Sequence, residues 1–486
     1  MDYSGVLILV LSFVVLLAIG VPIAYSIGIS GILTMLVSIK FLPALTTFSQ
    51  RMATGLDSFA LLAIPFFILA GNIMNSGGIA IRLINLARVI VGRWPAGLAF
   101  VNVFANMLFG AISGSAAASA SAIGSIMGNE MKKEGYKKEF SAAVNISSAT
   151  TGLSIPPSNI LIVYSLASGG VSITALFLAG YIPGILTGIG IMLMAMSMVI
   201  YKSHGLRSVG SALLKIFLVT AVIIGIGMGL KSVHAHSETL YRLGILVIIF
   251  ALSGFLGYKI YQKPKGARRA FKILLDAIPS LFLLIIVIGG IVAGFFTATE
   301  ASAIAVLYAF ILALIYKEIT LKDMPHILLQ SVKTTSIVLL LVATCIGLSW
   351  IMAYENIPQT VSESLLGVSE NPIVILLIIN LILLFVGIFM DMTPAVLIFT
   401  PIFLPIVTGL GYDPVHFGII MVLNLSVGLC TPPVGAVLFI GCSVADVKIE
   451  RVIKPLLPMF IIMIVCLLLV TYLPQLSMWL PALFGF

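Results

Sequence analysis

Two similar stretches, TGLSIPPSN (Thr151–Asn159) and VGLCTPPVG (Val427–Gly435), decide the fold of this chain. Each places a Pro-Pro pair beside glycine and hydroxyl residues, inside an apolar run long enough to cross a bilayer. Proline removes a backbone hydrogen bond and interrupts a helix. Within a membrane, such a break is tolerated only where protein covers it or where it lines a watery cavity. The sequence therefore predicts two interrupted helices that meet other parts of the protein.

The composition predicts a polytopic α-helical membrane protein. Of the 486 residues, 60% are hydrophobic and only 9% are charged, whereas a soluble domain carries about 25% charged residues. Apolar runs recur along the whole length, as in proteins with many membrane helices. The net charge of +9 comes from Lys and Arg in short loops, which follows the positive-inside rule and does not indicate a nucleic-acid partner.

The chain is expected to contain two repeats, residues 1–201 and 277–486. The two Pro-Pro pairs are 276 positions apart, and the same offset aligns Gly152 with Gly428. Any one match can arise by chance, but several matches in the same order predict a structural repeat.

Loop charges predict that the two repeats are inverted. The loop at 79–94 carries three arginines and no acid, whereas its counterpart at 354–371 carries three glutamates and no Lys or Arg. By the positive-inside rule the first loop is cytoplasmic and the second is outside. Matching loops on opposite faces are typical of inverted-repeat secondary transporters. This topology puts Lys40 and Arg51 outside, where an interfacial amphipathic helix is expected.

Each repeat is also expected to contain a re-entrant helical hairpin. Residues 95–129 are apolar, with a Gly/Ala/Ser-rich centre and basic residues flanking both ends. This length is too short for two spans of about 20 residues each. Residues 372–410 lack Lys and Arg at both ends and predict the matching hairpin. The broken helices are expected at 141–170 and 414–443.

The hairpin tips are expected to face the helix breaks and to form cation sites there. Carbonyls freed at a break and side-chain oxygens coordinate cations, and helix N-termini attract anions. The first predicted sodium site draws on Ser113, Ser115, Thr151, Ser154, Ser158 and Asn159. The second draws on Asp391, Thr393, Thr431 and the carbonyls around Gly428. An anionic substrate is expected between the two sites.

A structural interpretation of the same motifs is also open. A Pro-Pro pair can simply kink a membrane helix, and small residues allow close helix packing; the recurrence in both repeats favours function. Two acids lie in apolar runs, and either could carry a proton. Glu300 is expected to cap a helix with Thr297, as in a capping box, and Asp391 to act in or beside a site. The five histidines are expected in or near loops, and no enzyme chemistry is predicted.

The sequence resembles the large membrane (DctM-like) subunit of tripartite ATP-independent periplasmic (TRAP) transporters. The likeness covers about four hundred residues in order. It is carried by FALLAIPFFILAGNIM (59–74), FGAISGSAAASASAIGSIM (109–127), IPPSNILIVYSLASGGVSITALFLAGYIPGIL (155–186), GFFTATEASAIAVLYA (294–309) and GLCTPPVGAVLFIGCSVADV (428–447).

The resemblance implies an elevator-type carrier in a bacterial inner membrane that imports organic acids, such as C4-dicarboxylates or sialic acid, with a sodium gradient. It implies a periplasmic substrate-binding protein and a small four-helix membrane subunit as partners, and no organic cofactor. It adds to the sodium sites Gly114, Gly152, Pro156, Gly387, Gly428 and Pro432. We expect Ser115, Asn159, Thr393 and Gly435 to contact the substrate.

Residues 202–276 depart from the family pattern. They hold two further apolar spans, about 214–230 and 240–258, followed by a basic run. These spans could replace part of the small subunit, brace its docking or only link the repeats. The alternatives therefore include a stand-alone sodium- or proton-coupled anion carrier of related hairpin fold and, from another class, a channel or a membrane scaffold.

Overall fold

The computed structural model describes residues 4–92, 94, 96–204, 264–432 and 434–486. Within these ranges the chain forms twenty α-helices, here numbered α1 to α20, and contains no β-strand. Eight helical segments of the described part are long and apolar enough to cross a membrane. The prediction of an all-α membrane protein is confirmed. The further spans predicted at 214–230 and 240–258 lie outside the described residues.

The first ten helices contain one hairpin and one interrupted helix. Their bounds are α1 Ser4–Ala18, α2 Ile23–Ser38, α3 Phe41–Leu56, α4 Ala63–Ser76, α5 Ile79–Val91, α6 Gly97–Ser113, α7 Ala116–Lys133, α8 Lys138–Ala149, α9 Asn159–Ala167 and α10 Ile173–His204. Short 3-10 turns, Phe59–Leu62 and Thr151–Leu153, precede α4 and follow α8.

The last ten helices contain a second hairpin and a second interrupted helix and end with a short helix. Their bounds are α11 Pro264–Val292, α12 Ala298–Ile315, α13 Met324–Tyr354, α14 Ile357–Val368, α15 Pro372–Phe389, α16 Met392–Gly409, α17 Pro414–Gly428, α18 Ala436–Ala445, α19 Ile449–Tyr472 and α20 Gln475–Leu483.

The two halves match helix by helix around the hairpins. Helices α7, α8 and α10 begin 276 positions before α16, α17 and α19. The α6–α7 hairpin extends four residues beyond the predicted end at 129, to Lys133. Helix α11 runs through the predicted boundary at 276, so the helix that opens the second half starts earlier than the 276-residue offset indicates. The repeat boundaries themselves stay a prediction.

Glu300 caps the helix that follows an interrupted apolar run. The Thr297 hydroxyl accepts a hydrogen bond from the Glu300 N–H at 3.3 Å, and the Glu300 carboxylate accepts one from the Thr297 N–H at 2.8 Å. These reciprocal bonds satisfy donors that the start of α12 would otherwise leave open. The predicted capping role of Glu300 is confirmed.

Most of the described helices pack as two groups, and α5 and α14 contact both of them. In the first, which we call the scaffold group (α1–α4 and α11–α13), α4 packs against α12 and α13, and α2 and α3 pack against α13. In the second, the hairpin group (α6–α10 and α15–α20), α6 packs against α7 and α8, α15 against α17, and α10 against α19 and α20. The cavity described below lies where the two groups meet.

Paired glycines bring each hairpin against its broken helix. A Cβ built on Gly152 would lie 2.5 Å from the Gly110 Cα, and one built on Gly428 would lie 2.6 Å from the Gly387 Cα. These distances are shorter than any side chain accepts, so only glycine permits the backbones to approach this closely. The same contact occurs in both halves and fixes each hairpin tip beside a break.

Alanine at either glycine pair should therefore destabilise the protein. We expect Gly152→Ala and Gly428→Ala each to cost about 1–3 kcal/mol of unfolding free energy, because the added methyl group meets backbone atoms that cannot yield. Thermal unfolding of the purified protein measures the change. Gly128→Ala is the matched control, since a Cβ there meets nothing within 4 Å. An unchanged midpoint for Gly152→Ala and Gly428→Ala would contradict the close approach.

Candidate functional site

Both hairpin tips open onto one cavity. Its volume is about 270 Å³, and its lining includes Ser113, Gly114 and Ser115 from the first tip and Asp391, Met392 and Thr393 from the second. Asn159, at the start of α9, and Leu429 and Ala436, on either side of the second break, complete this wall. The expectation that tips and breaks meet thus agrees with the geometry, whereas the roles assigned to the individual residues stay predictions.

Four helices begin at this cavity. The first residues of α7, α9, α16 and α18 (Ala116, Asn159, Met392 and Ala436) all belong to its lining. The first N–H groups of a helix have no partner within it, and the helix dipole places partial positive charge at that end. The cavity is therefore suited to an anion even though its described lining contains no Lys, Arg or His.

The two tips differ in charge. Ser115 caps α7, because its hydroxyl accepts a hydrogen bond from the Ala118 N–H at 3.2 Å. Asp391 precedes α16 at the corresponding position, but its side chain makes no capping hydrogen bond and is exposed. Asp391 is also the only charged side chain among the described lining residues.

Most predicted residues of the first break lie beneath the cavity. Thr151, Gly152, Ser154, Pro156 and Ser158 are buried. The Thr151 hydroxyl donates to the Ser148 carbonyl at 2.6 Å, and the Ser158 hydroxyl donates to the carbonyl of Leu153. The Ser154 Oγ is buried and has no hydrogen-bond partner among the residues that the structure describes. An unpaired buried hydroxyl is costly, so it marks a place where a ligand oxygen or a cation would fit.

The second break forms a cradle of carbonyl groups beside Gly435. The Leu429 and Thr431 carbonyl oxygens lie 2.5 Å and 2.9 Å from the position that a Cβ on Gly435 would take. Only a glycine leaves this space open. The Thr431 hydroxyl donates to the Val427 carbonyl at 2.9 Å, and Pro432 is half-buried in the turn. Both carbonyl oxygens accept a backbone hydrogen bond, Leu429 from the Val437 N–H at 3.2 Å and Thr431 from the Gly435 N–H at 3.1 Å. Each carbonyl keeps a second lone pair, and carbonyl oxygens are ligands that hard cations accept.

A buried network of amides and hydroxyls, which sequence reasoning missed, supports the first tip. The Asn106 side-chain amide donates to Asn145 Oδ1 at 3.1 Å and to Ser148 Oγ at 2.9 Å, and Asn106 Oδ1 accepts from Ser119 Oγ at 2.7 Å. Helices α6, α7 and α8 are thereby joined below the Gly110–Gly152 contact. Polar residues in an apolar run were the only signal that could have indicated this network.

Two further features were not evident from the sequence. On the cavity wall opposite the tips, Asn72 of α4 donates to Ser331 Oγ of α13 at 2.8 Å, and Thr334 of α13 also lines the cavity. His416, expected in or near a loop, lies in the first turn of α17 but is fully buried, 2.7 Å from Ser477 Oγ. His416 thus joins α17 to the terminal helix α20 and lies outside the cavity lining.

Comparison with known proteins agrees with this architecture. Residues 10–476 match the family model described as the tripartite ATP-independent periplasmic transporter, DctM component. Among solved structures, the YdaH transporter of Alcanivorax borkumensis, described as having an unusual topology, is similar with a TM-score of 0.59 over 98% of both chains. At 13% identity, this likeness concerns the fold alone.

Three relatives extend the comparison. The uncharacterized protein YgiK of Salmonella typhimurium is 50% identical over 99% of this chain and 98% of its own. The C4-dicarboxylate TRAP transporter large permease protein DctM of Rhodobacter capsulatus is 32% identical over 97% of this chain and 98% of its own. The isethionate TRAP transporter permease protein DctMQ of Oleidesulfovibrio alaskensis is 36% identical over 96% of this chain but 65% of its own.

The fold and these matches define a multi-pass membrane permease and not an enzyme. The chain belongs to the DctM family, the large permease component of TRAP transporters.

The buried Asn106 network should be needed for stability. We expect Asn106→Ala to lower the free energy of unfolding by about 2 kcal/mol, because it leaves the Asn145, Ser148 and Ser119 side chains with unmade hydrogen bonds. Thermal or denaturant unfolding in detergent measures this loss. Asn129→Ala is the control, since Asn129 is exposed and its amide donates to the Ser125 carbonyl of the same helix. Equal effects of the two substitutions would argue against the network.

Proposed function

We propose that this chain is the membrane permease subunit of a sodium-coupled, binding-protein-dependent secondary transporter. It imports an organic acid across a bacterial inner membrane by an elevator motion. The observation that carries the proposal is the convergence of two hairpin tips and two helix breaks on one cavity. A channel needs no site enclosed by hairpin tips and helix breaks from both halves. Carriers, in contrast, commonly bind substrate between the broken helices of two repeats.

The substrate is an organic anion. Four helix N-termini at a cavity without described cationic side chains favour negative charge without fixing it by an ion pair. The names of the relatives from Rhodobacter capsulatus and Oleidesulfovibrio alaskensis refer to C4-dicarboxylate and isethionate, which are both organic anions. A C4-dicarboxylate, sialic acid or a similar acid is therefore the substrate class that we expect.

Sodium is the coupling ion and is carried with the substrate. The unpartnered Ser154 Oγ at the first break and the carbonyl cradle beside Gly435 at the second are made of neutral oxygens. A monovalent cation bound there lies directly behind the helix ends that would hold the anion. Each ion thus lowers the cost of placing the other in an apolar surrounding, which couples their transport.

Transport follows when the hairpin group moves relative to the scaffold group. The cavity is lined on one side by the tips and breaks and on the other by α4 and α13. The two groups approach closely at Gly71, where an added Cβ would lie 2.9 Å from the Ser113 carbonyl oxygen. Because the ion and anion sites belong to the hairpin group, its displacement would carry both past the fixed wall and expose them on the other side.

The partners are a periplasmic binding protein and a small membrane subunit. The family works with both of these components. About a third of the Oleidesulfovibrio relative lies outside its match to this chain. Extra length of that kind is what a permease joined to its small subunit would have, and it supports a separate small partner for the present chain.

Ser154→Ala should weaken sodium binding with little effect on the protein without sodium. The hydroxyl has no partner within the described residues, so its removal breaks no hydrogen bond. Loss of one sodium ligand should raise the half-saturating sodium concentration about fivefold, which corresponds to about 1 kcal/mol. The shift of the melting temperature with NaCl, compared with KCl, measures it. Ser125→Ala on the exposed side of α7 is the control, and an unaltered sodium dependence of Ser154→Ala would remove this residue from the site.

Purification from native membranes should recover the partners. We expect a gentle pull-down of the tagged chain to contain a small membrane protein with four apolar segments and, after mild cross-linking, a periplasmic binding protein. Mass spectrometry identifies both. A single chain that still accumulates organic acids in vesicles under an inward sodium gradient would contradict the tripartite assembly and support a stand-alone carrier.

A further inference from the structure

The two tips that line the cavity occupy corresponding positions of the two halves, but one tip is neutral and the other is acidic. The first tip, Ser113-Gly114-Ser115, is neutral, and its Ser115 hydroxyl is engaged as the cap of α7. The second tip carries the Asp391 carboxylate, which is exposed and caps nothing. Among the described residues its partner is the neighbouring Met392 N–H, so the remaining carboxylate lone pairs are available to a ligand at the cavity surface.

This difference sets where an anionic group can lie. Like charges brought together in a partly dehydrated site repel each other. An acidic group of the substrate therefore avoids Asp391 and lies at the first tip, where the N-termini of α7 and α9 meet beside Asn159. A second acidic group on the same molecule would have to approach Asp391 without any described cationic side chain to compensate it.

The wall opposite the tips offers only neutral hydrogen-bonding groups. The Asn72 amide donates to Ser331 Oγ at 2.8 Å, and its amide oxygen receives no hydrogen bond from a described residue. The Thr334 hydroxyl donates to the Gln330 carbonyl at 3.1 Å and can still accept one. Such groups pair with hydroxyls or amides, whereas a buried carboxylate needs charge or several donors.

From this arrangement we infer that the cavity selects a singly charged acid that bears hydroxyl groups. Asp391 and Asn72 recognise these hydroxyls by accepting hydrogen bonds from them. The acidic group lies at Ser113-Gly114-Ser115, and the hydroxyls donate to the Asp391 carboxylate and to the Asn72 amide oxygen. The inference rests on the proposed organic-acid transport and narrows it. It assigns Asp391 to substrate recognition in place of the predicted second sodium site.

Two simple acids test this inference with the full purified chain and whatever subunit co-purifies. Gluconate is singly charged and polyhydroxylated, and succinate is doubly charged without hydroxyls. In NaCl, we expect gluconate to raise the melting temperature at a concentration about tenfold lower than succinate. Asp391→Asn should weaken gluconate binding about tenfold, since the acceptor of the gluconate hydroxyls loses its charge. The same substitution should strengthen succinate binding, since it removes the repulsion between Asp391 and the second carboxylate of succinate. The half-saturating sodium concentration should stay unchanged.

Matched variants and the sodium titration separate the possible outcomes. Asp446→Asn makes the same chemical change at an exposed aspartate that pairs with Lys138 outside the cavity. It should leave the binding of gluconate and of succinate unchanged. Asn72→Ala should weaken the binding of gluconate and leave the binding of succinate unchanged. A wild-type preference for succinate, or an Asp391→Asn protein altered in sodium dependence but not in acid preference, overturns the inference while leaving organic-acid transport standing. A wild-type protein that responds to neither acid and not to sodium overturns the proposed function and this inference with it.

Discussion

The structure depends on one constraint: helix ends that stop inside a membrane protein must be covered by other protein. Each hairpin tip and each Pro-Pro break leaves backbone groups that no lipid can satisfy. The close glycine contacts, Gly110 with Gly152 and Gly387 with Gly428, let backbone cover backbone without intervening side chains. Because these contacts allow no other distance, they determine where each tip ends and therefore where four helix N-termini meet.

The same uncovered ends provide the chemistry. A carbonyl or hydroxyl released from helical bonding becomes a cation ligand, and the N–H groups at the next helix start become anion donors. Folding and binding thus require the same atoms. Ser158 donates its hydroxyl to the Leu153 carbonyl, whereas the Ser154 Oγ has no partner within the described part of the chain. The buried amide network around Asn106 holds the helices that carry these atoms, so it fixes the site from outside the cavity lining.

Patterns with a local cause were predictable from the sequence. The membrane class followed from composition, and the Glu300 cap followed from Thr297 three residues earlier, because a capping box involves only neighbouring residues. Hairpins could be inferred from charge and length, with ends uncertain by a few residues. The Asn72–Ser331 pair joins positions 259 residues apart, so no local pattern could reveal it. Burial of His416 likewise depends on the terminal helix α20, which is remote in sequence.

The two halves have kept a common backbone while their side chains have diverged. In the first half, Asn106 bonds to residues of α6, α7 and α8. In the second half, Asn424 donates to Asn380 at 2.7 Å, and the buried Asn424 Oδ1 has no donor among the described residues. The tips diverge in the same manner, neutral in one half and acidic in the other. Two identical halves would offer a bound ligand the same surroundings at both ends of the cavity. Divergence at the tips gives one cavity two chemically distinct ends, so a substrate with distinct ends can bind in a single orientation.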